Sequence, residues 1–413
     1  MSINAILRAA FLSSAALCLG VGTVASVQAQ DVGGDVGGGA GIFRAKNPET
    51  KKSATKSTTG TKPANRTTGS TRARPANAER VEELLDKGNE ARDGRKFADA
   101  ETAYKEVLKL SPRDARAAYG LGNVYSDQQR WDDAEAAYRN SVTWAPKDAD
   151  AHIALSVVLV QPSPGGDNAK RLTDAETFAR RSVQIDPKNA VGWDRLGVAL
   201  QARGLLNSET EHSYRRAIEL DPQFAVAYAH LARMLNRSGK QGEAAPLYEK
   251  AIELAKDPAT LNLIADSLQA EQLWPQSEPV LKRALELDSN NLTSLLLMGR
   301  YLIVYKKYQE AEPYLKSATE VASGAFLPFN LLGRAYLGMN RFSDAEATYE
   351  RASTLAASGE KKQLAGLFGF EGVGDGYLKS NQKDKAVRAY QRALELDPNN
   401  NGAAQKLAKA KAN

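Results

Sequence analysis

One cysteine, Cys18, and three histidines, His152, His212 and His230, are all that 413 residues offer of the side chains that build disulfides and most metal sites. A lone thiol closes no intramolecular bridge. The histidines stand far apart, none in a His-Glu-x-x-His pattern. There is no Gly-x-Ser-x-Gly elbow and no zinc spacing, and the Gly33 to Gly41 run is neither preceded by a strand nor followed by the Gly-Lys-Ser/Thr of a phosphate loop. The expectation is a chain with no catalytic residue, no metal ligand and no cofactor, and not an enzyme. His152 takes a position that an apolar core residue normally fills, so a satisfied interior histidine is expected there.

An apolar run from Ala9 to Val27 follows Arg8, and Val27-Gln28-Ala29 supplies small residues around a cleavage point. Residues 1–29 therefore read as an export signal. Ser13, Ser14, Gly20, Gly22 and Thr23 make the run a weak membrane span, so no transmembrane segment is expected once the signal is removed. Cys18 lies inside it, between leucines and not after the small residue of a lipoprotein box. The mature chain then carries no thiol, which suits an oxidising periplasm or cell envelope.

Charge is unevenly placed. Residues 30–80 hold ten Lys or Arg against four Asp or Glu, whereas residues 81–413 hold 44 against 45. Residues 30–78 are rich in Gly, Thr, Ser, Lys and Arg and poor in apolar side chains, the composition of a disordered basic linker. As a random coil it would reach roughly 40 Å. Two readings stand for its charge: a solvated tether, or weak contact with an anionic surface. Specific nucleic-acid binding is not expected. Ile42-Phe43 is the linker's sole apolar pair, a candidate for a short docking motif against the plainer reading of two residues in a solvated linker.

From residue 79 onward one pattern repeats. In Ala115–Asp148, Ala118, Leu121 and Tyr125 recur at helical spacing, as do Ala134, Tyr138 and Val142, so the stretch predicts two amphipathic helices joined near Gln128 to Trp131. Gly122 and Ala134 are small where large side chains would hold the helices apart, Tyr138 is large enough to fill the groove between them, and Pro146 stops the second helix. Leu121, Gly122, Tyr125, Ala134, Tyr138 and Pro146 sit where the tetratricopeptide pattern places its marks, and the chain resembles that family, in an exported bacterial-type form. Similar marks recur as Gly88, Tyr104 and Pro112; Gly197, Tyr214 and Pro222; Gly333 and Tyr349; and Gly374, Tyr390 and Pro398. The resemblance implies an all-α, right-handed superhelical solenoid of about nine helix-turn-helix units over residues 79–400. Residues 401–413 form a capping helix, with Ala403, Ala404, Leu407 and Ala408 on one face.

Two stretches depart from the repeat. Gln161 to Leu172 holds Pro162, Pro164, Gly165 and Gly166, an insertion after which Thr173 and Glu176 are expected to form a capping box on the resumed helix. Gly366 to Tyr377 holds five glycines, each costing a helix roughly 0.8 to 1 kcal/mol against alanine. Either close packing requires them, or the segment is loose and folds on a partner through Phe368 and Phe370.

What the resemblance implies for function is a concave groove, lined by the first helix of each unit, that binds protein or peptide. In that geometry the ninth residue of each unit faces the groove: Asn89, Asn123, Val157, Val198, Arg233, Asp266, Arg300, Arg334 and Asp375. Asn262 and Asn330, the fifth residues of their units, stand beside them. The groove candidates are therefore Asn89, Asn123, Arg233, Asn262, Asp266, Arg300, Asn330 and Arg334. The arginines can form a ladder for carboxylates, or Arg233 and Arg300 can pair with Asp266 and leave a nearly neutral wall. The chaperone-type lysine clamp is missing, because Leu85 stands where its first lysine belongs. The function expected is an exported scaffold for protein–protein interaction in a cell-envelope assembly. The alternatives are a surface-adhering structural protein whose linker binds anionic polymer, and an accessory module of glycan transfer.

Overall fold

The computed structural model describes residues 45–50, 76–161, 167–356 and 369–412. The export signal, most of the linker, Ile42-Phe43, Pro162 to Gly166 and Gly366 to Phe368 lie outside the described residues. All regular structure among the described residues is helical. The chain divides into two units, residues 43–222 and residues 223–413, each a series of antiparallel helical hairpins.

The first unit contains four hairpins: α1 (Ala76–Asp93) with α2 (Phe97–Leu110), α3 (Ala115–Asp127) with α4 (Trp131–Trp144), α5 (Ala149–Leu159) with α6 (Asn168–Ile185), and α7 (Ala190–Ala202) with α8 (Ser208–Leu220). The second contains five: α9 (Ala225–Arg237) with α10 (Gln241–Leu254), α11 (Pro258–Ala270) with α12 (Trp274–Leu287), α13 (Leu292–Val304) with α14 (Tyr308–Val321), α15 (Phe326–Gly338) with α16 (Phe342–Leu355), and α17 (Glu371–Lys379) with α18 (Lys383–Leu396). A single helix, α19 (Asn401–Ala412), follows, with Ala403 and Ala410 buried. Within each unit a helix packs on the next, and first helices also pack on the first helix of a neighbouring hairpin. Stacking buries what one hairpin alone leaves exposed.

Local chemistry sets the ends. Asp114, Asp148, Asn189, Asp257 and Asn291 cap first helices through side-chain oxygens that accept from backbone N–H groups. Between the helices of a hairpin one residue takes the left-handed conformation, Gln129 at φ 59° or Gly204 at φ 80°, and the next N–H bonds back to a carbonyl of the first helix, as Arg130 does to Tyr125 at 2.9 Å.

The glycine–tyrosine pairs hold the hairpins closed. A Cβ on Gly122 would stand 2.5 Å from the Tyr138 ring, and one on Gly374 would stand 2.5 Å from Tyr390. Only glycine lets the ring lie against the facing helix. The same constraint explains the described part of the glycine-rich stretch: Gly369 meets Tyr349, Gly374 meets Tyr390 and Gly376 meets Phe342, all closer than 3.0 Å to an added Cβ. Close packing, and not looseness, is what the glycines from Gly369 onward serve.

Three expectations are corrected or settled by the packing. Helix α1 starts at Ala76, inside the stretch expected as linker, and residues 45–50 of that stretch are packed on the first unit. The expected capping box at Thr173 and Glu176 does not form, because α6 begins at Asn168 with Asp167 as its cap. Thr173 sits inside the helix and donates to the Ala169 carbonyl at 3.0 Å. His152 is buried, and its Nδ1 lies 2.7 Å from the Asp148 carbonyl oxygen, an interior histidine as expected.

Candidate functional site

In the first unit, residues 45–50 lie between α1 and α3 and run opposite to both. Ala45 meets Arg92 near the end of α1, and Thr50 meets Asp86 six residues earlier, its hydroxyl donating to the carboxylate at 2.7 Å. The helices hold this segment chiefly by its main chain. Asn123 Nδ2 donates to the Lys46 carbonyl at 2.9 Å, and Asn89 Nδ2 donates to the Pro48 carbonyl at 3.0 Å. Two amides one hairpin apart thus read carbonyls two residues apart on the segment. Arg92 Nη1 donates to the Ala45 carbonyl at 2.7 Å, and Arg116 Nη1 approaches that of Glu49 at 3.4 Å.

The amides are oriented from behind. Tyr104 hydroxyl donates to Asn89 Oδ1 at 2.7 Å, and Tyr138 hydroxyl donates to Asn123 Oδ1 at 2.8 Å. With each amide oxygen engaged, its NH2 is the half that faces the segment. Both tyrosines are buried, and burial pushes the Tyr138 hydroxyl well above its ordinary value, so it stays a donor. Each tyrosine is the ring that its glycine admits. One residue thus closes the hairpin and aims the groove.

Arg92 is only 1 % exposed, yet its guanidinium is well used. Nε and Nη2 hold Asp127 at 2.7 and 3.1 Å, while Nη1 serves Ala45 and the Asn47 side-chain oxygen at 2.9 Å. Burial works against its charge, but the bidentate contact with Asp127 outweighs burial and holds the guanidinium above its ordinary value. Asn47 Nδ2 donates to Asp93 at 2.8 Å. On the neighbouring α5, burial pushes the Asp150 carboxyl up and the Lys46 ammonium pulls it part of the way back.

The second unit treats the corresponding positions differently. Arg300 donates to Asp266 and to Gln269, each at 2.8 Å, and its guanidinium lies 5.7 Å from the Trp274 ring. Burial pushes the Asp266 carboxyl up against the pull of Arg300. Arg233 turns to Glu271 at 3.5 Å, a carboxylate it shares with Arg237 at 2.8 Å. Of the expected internal pairing, Arg300 with Asp266 forms, whereas Arg233 takes Glu271 instead. Asn262 is bound by Asn291 and Ser294 at 2.9 and 2.8 Å. Among the described residues, buried Asn330 has no partner for its oxygen and Arg334 has no ion pair.

Of the eight candidates, then, Asn89 and Asn123 come together on one extended segment, and the other six lie in the second unit. Arg92, Arg116 and Asp127 were missed. Arg92 follows Asn89 by three residues and Asp127 follows Asn123 by four, so helical spacing put both on the groove face. Among the described residues no cluster of His, Cys, Asp and Glu is arranged to hold a metal ion, and no helix is long and apolar enough to cross a membrane.

Family models described as tetratricopeptide repeat match residues 85–151 and 123–190, 224–257, 329–363 and 369–400. No curated protein matches the chain. Among solved structures, a thermophilic TPR protein in Thermus thermophilus is 22% identical over 46% of this chain and 99% of its own, with a TM-score of 0.39. YrrB, described as a TPR protein with an unusual peptide-binding site, is 20% identical over 48% of this chain and 98% of its own, with a TM-score of 0.36. The APC/C hetero-tetramer Cut9-Hcn1 aligns over 80% of this chain and 96% of its own at 12% identity, with a TM-score of 0.37.

Proposed function

The chain belongs to the tetratricopeptide-repeat family, and from that premise we propose that it is an interaction scaffold that takes an extended stretch of another protein along the α1–α3 face. One observation carries this reading: that face already holds a non-helical segment through side-chain donors aimed at main-chain carbonyls. Donors of that kind accept many sequences, because every residue offers a carbonyl. Side-chain contacts then select among them.

The scaffold acts outside the cytoplasm, in the cell envelope, on the strength of the signal-like residues 1–29. N-terminal sequencing of the protein from fractionated cells tests this part, and an intact Met1 in the cytoplasmic fraction would sink it. For the groove, the full chain is bound to an array of extended peptides beside an Asn89→Ala, Asn123→Ala variant of equal helicity. Peptides held by the parent and lost by the variant support the reading. Equal binding by both would move the site off the α1–α3 face.

A further inference from the structure

Residues 45–50 fill the face on which a partner would dock, and their contacts are those of a ligand. We propose that this segment is an internal competitor for the groove, and that the partner it excludes presents an extended segment of the same chemistry: a small residue, any residue, then Asn-Pro. This rests on the groove reading above.

The segment's own contacts sort its positions. Ala45 is 5% exposed with its carbonyl on Arg92, and its methyl packs in the core of the unit, a place for a small residue. Asn47 is gripped from both ends, accepting from Arg92 at 2.9 Å and donating to Asp93 at 2.8 Å. A carboxamide sets a donor and an acceptor atom side by side at that reach, and glutamine's lies one carbon further out. Pro48 is buried; having no N–H it orphans no donor there, and it keeps residue 47 extended. Lys46 and Glu49 are exposed and contribute carbonyls, so their identity is open.

Connectivity makes the segment a competitor and not merely a strap. Twenty-five residues separate Thr50 from Ala76, and at up to about 3.3 Å each they are long enough for the segment to leave the groove while remaining attached. A tether of that order returns the segment at an effective concentration of about millimolar. A free peptide with a dissociation constant of about 100 μM for the open groove would then bind the closed protein about tenfold more weakly.

The test uses the full chain and a fluorescently labelled peptide with the sequence of residues 44–51. Asn47→Ala with Pro48→Gly opens the groove without touching a helix, and thermal unfolding checks that the hairpins are unchanged. The peptide is expected to bind the opened protein at least tenfold tighter than the parent, and adding Asn123→Ala to the opened protein is expected to abolish binding. Equal affinity for parent and opened protein would overturn the competitor. If array peptides still bind through Asn89 and Asn123 in that case, the scaffold reading survives the loss. Dimerisation of the opened protein with rising concentration would also overturn the proposal, since the segment's counterpart would then be a second copy of the chain.

Discussion

The two units place different chemistry at the same helical position, and the consequence reaches through to the tyrosine behind it. In α1 and α3 that position holds Asn89 and Asn123, which accept from Tyr104 and Tyr138 and still donate forward into the groove. In α9 and α15 it holds Arg233 and Arg334. A guanidinium has no acceptor, and the tyrosines fifteen residues on, Tyr248 and Tyr349, have buried hydroxyls with no hydrogen-bond partner among the described residues. The last hairpin returns to an acceptor: Tyr390 donates to Asp375 at 2.7 Å, and Lys406 of α19 neutralises the other oxygen at 2.7 Å. An amide can face both ways, whereas an arginine serves only the front. The first unit is built to hold a main chain, and the second occupies Arg233 and Arg300 with its own acids.

The largest contrast should come from the arginines. Arg92→Ala leaves Asp127 without its bidentate partner in a half-buried site, and a loss of about 3 kcal/mol is expected in denaturant unfolding. Arg334→Ala, which breaks no ion pair among the described residues, should cost less than about 0.5 kcal/mol. Equal losses would erase the distinction between the two faces.

The tyrosines sharpen it. Tyr138→Phe strands the buried Asn123 oxygen and should destabilise by about 1 to 2 kcal/mol, whereas Tyr349→Phe removes a hydroxyl with no hydrogen-bond partner among the described residues and should be neutral or stabilising. Arg334→Asn recreates the fifteen-residue pairing and should stabilise by about 1 kcal/mol, but only in the presence of Tyr349. A double-mutant cycle with Tyr349→Phe reads that coupling directly. Zero coupling would mean that the spacing does not carry the bond.

The smallest effect should be one the units share. Burial pushes Glu101 up, but hydrogen bonds from Lys105, Tyr125 and Arg130 outweigh it and hold the carboxylate below its usual range. In the second unit, Lys316 and Arg341 hold Glu312 down in the same way. A carboxylate lowered on folding contributes stability that is present above its unfolded value of 4.5 and is lost as pH falls through its folded value. Acidification below pH 4.5 should therefore lower the unfolding midpoint. Glu101→Gln and Glu312→Gln should each flatten the slope, and to a similar degree. A flattening confined to one variant would show that these bridges differ between the units as well.

Much of this was legible in the chain because it is local and periodic. Gly122 sixteen residues before Tyr138, and Gly374 sixteen before Tyr390, announce a ring laid on a bare backbone. Counting to the ninth residue placed Asn89 and Asn123 on the groove. The segment at 45–50 was hidden for a physical reason: it contributes carbonyls, which every residue has, so no apolar period marks it and the linker-like composition around it pointed the other way. Whether Arg233 would choose Asp266 or Glu271 was equally invisible, since both carboxylates sit within reach on the same helical stretch and only the packing of α9 against α11 separates them. The capping box failed because Asp167 offered an earlier cap, and a helix starts at the first site that satisfies its free N–H groups.

Sequence by itself determined the hairpins and the family, because these depend on spacings of fewer than about forty residues that recur along the chain. Tertiary structure alone decided which side chains the groove keeps occupied. That choice joins residues 35 to 77 positions apart, Asp127 with Arg92 and Lys46 with Asn123, through contacts that no local pattern encodes.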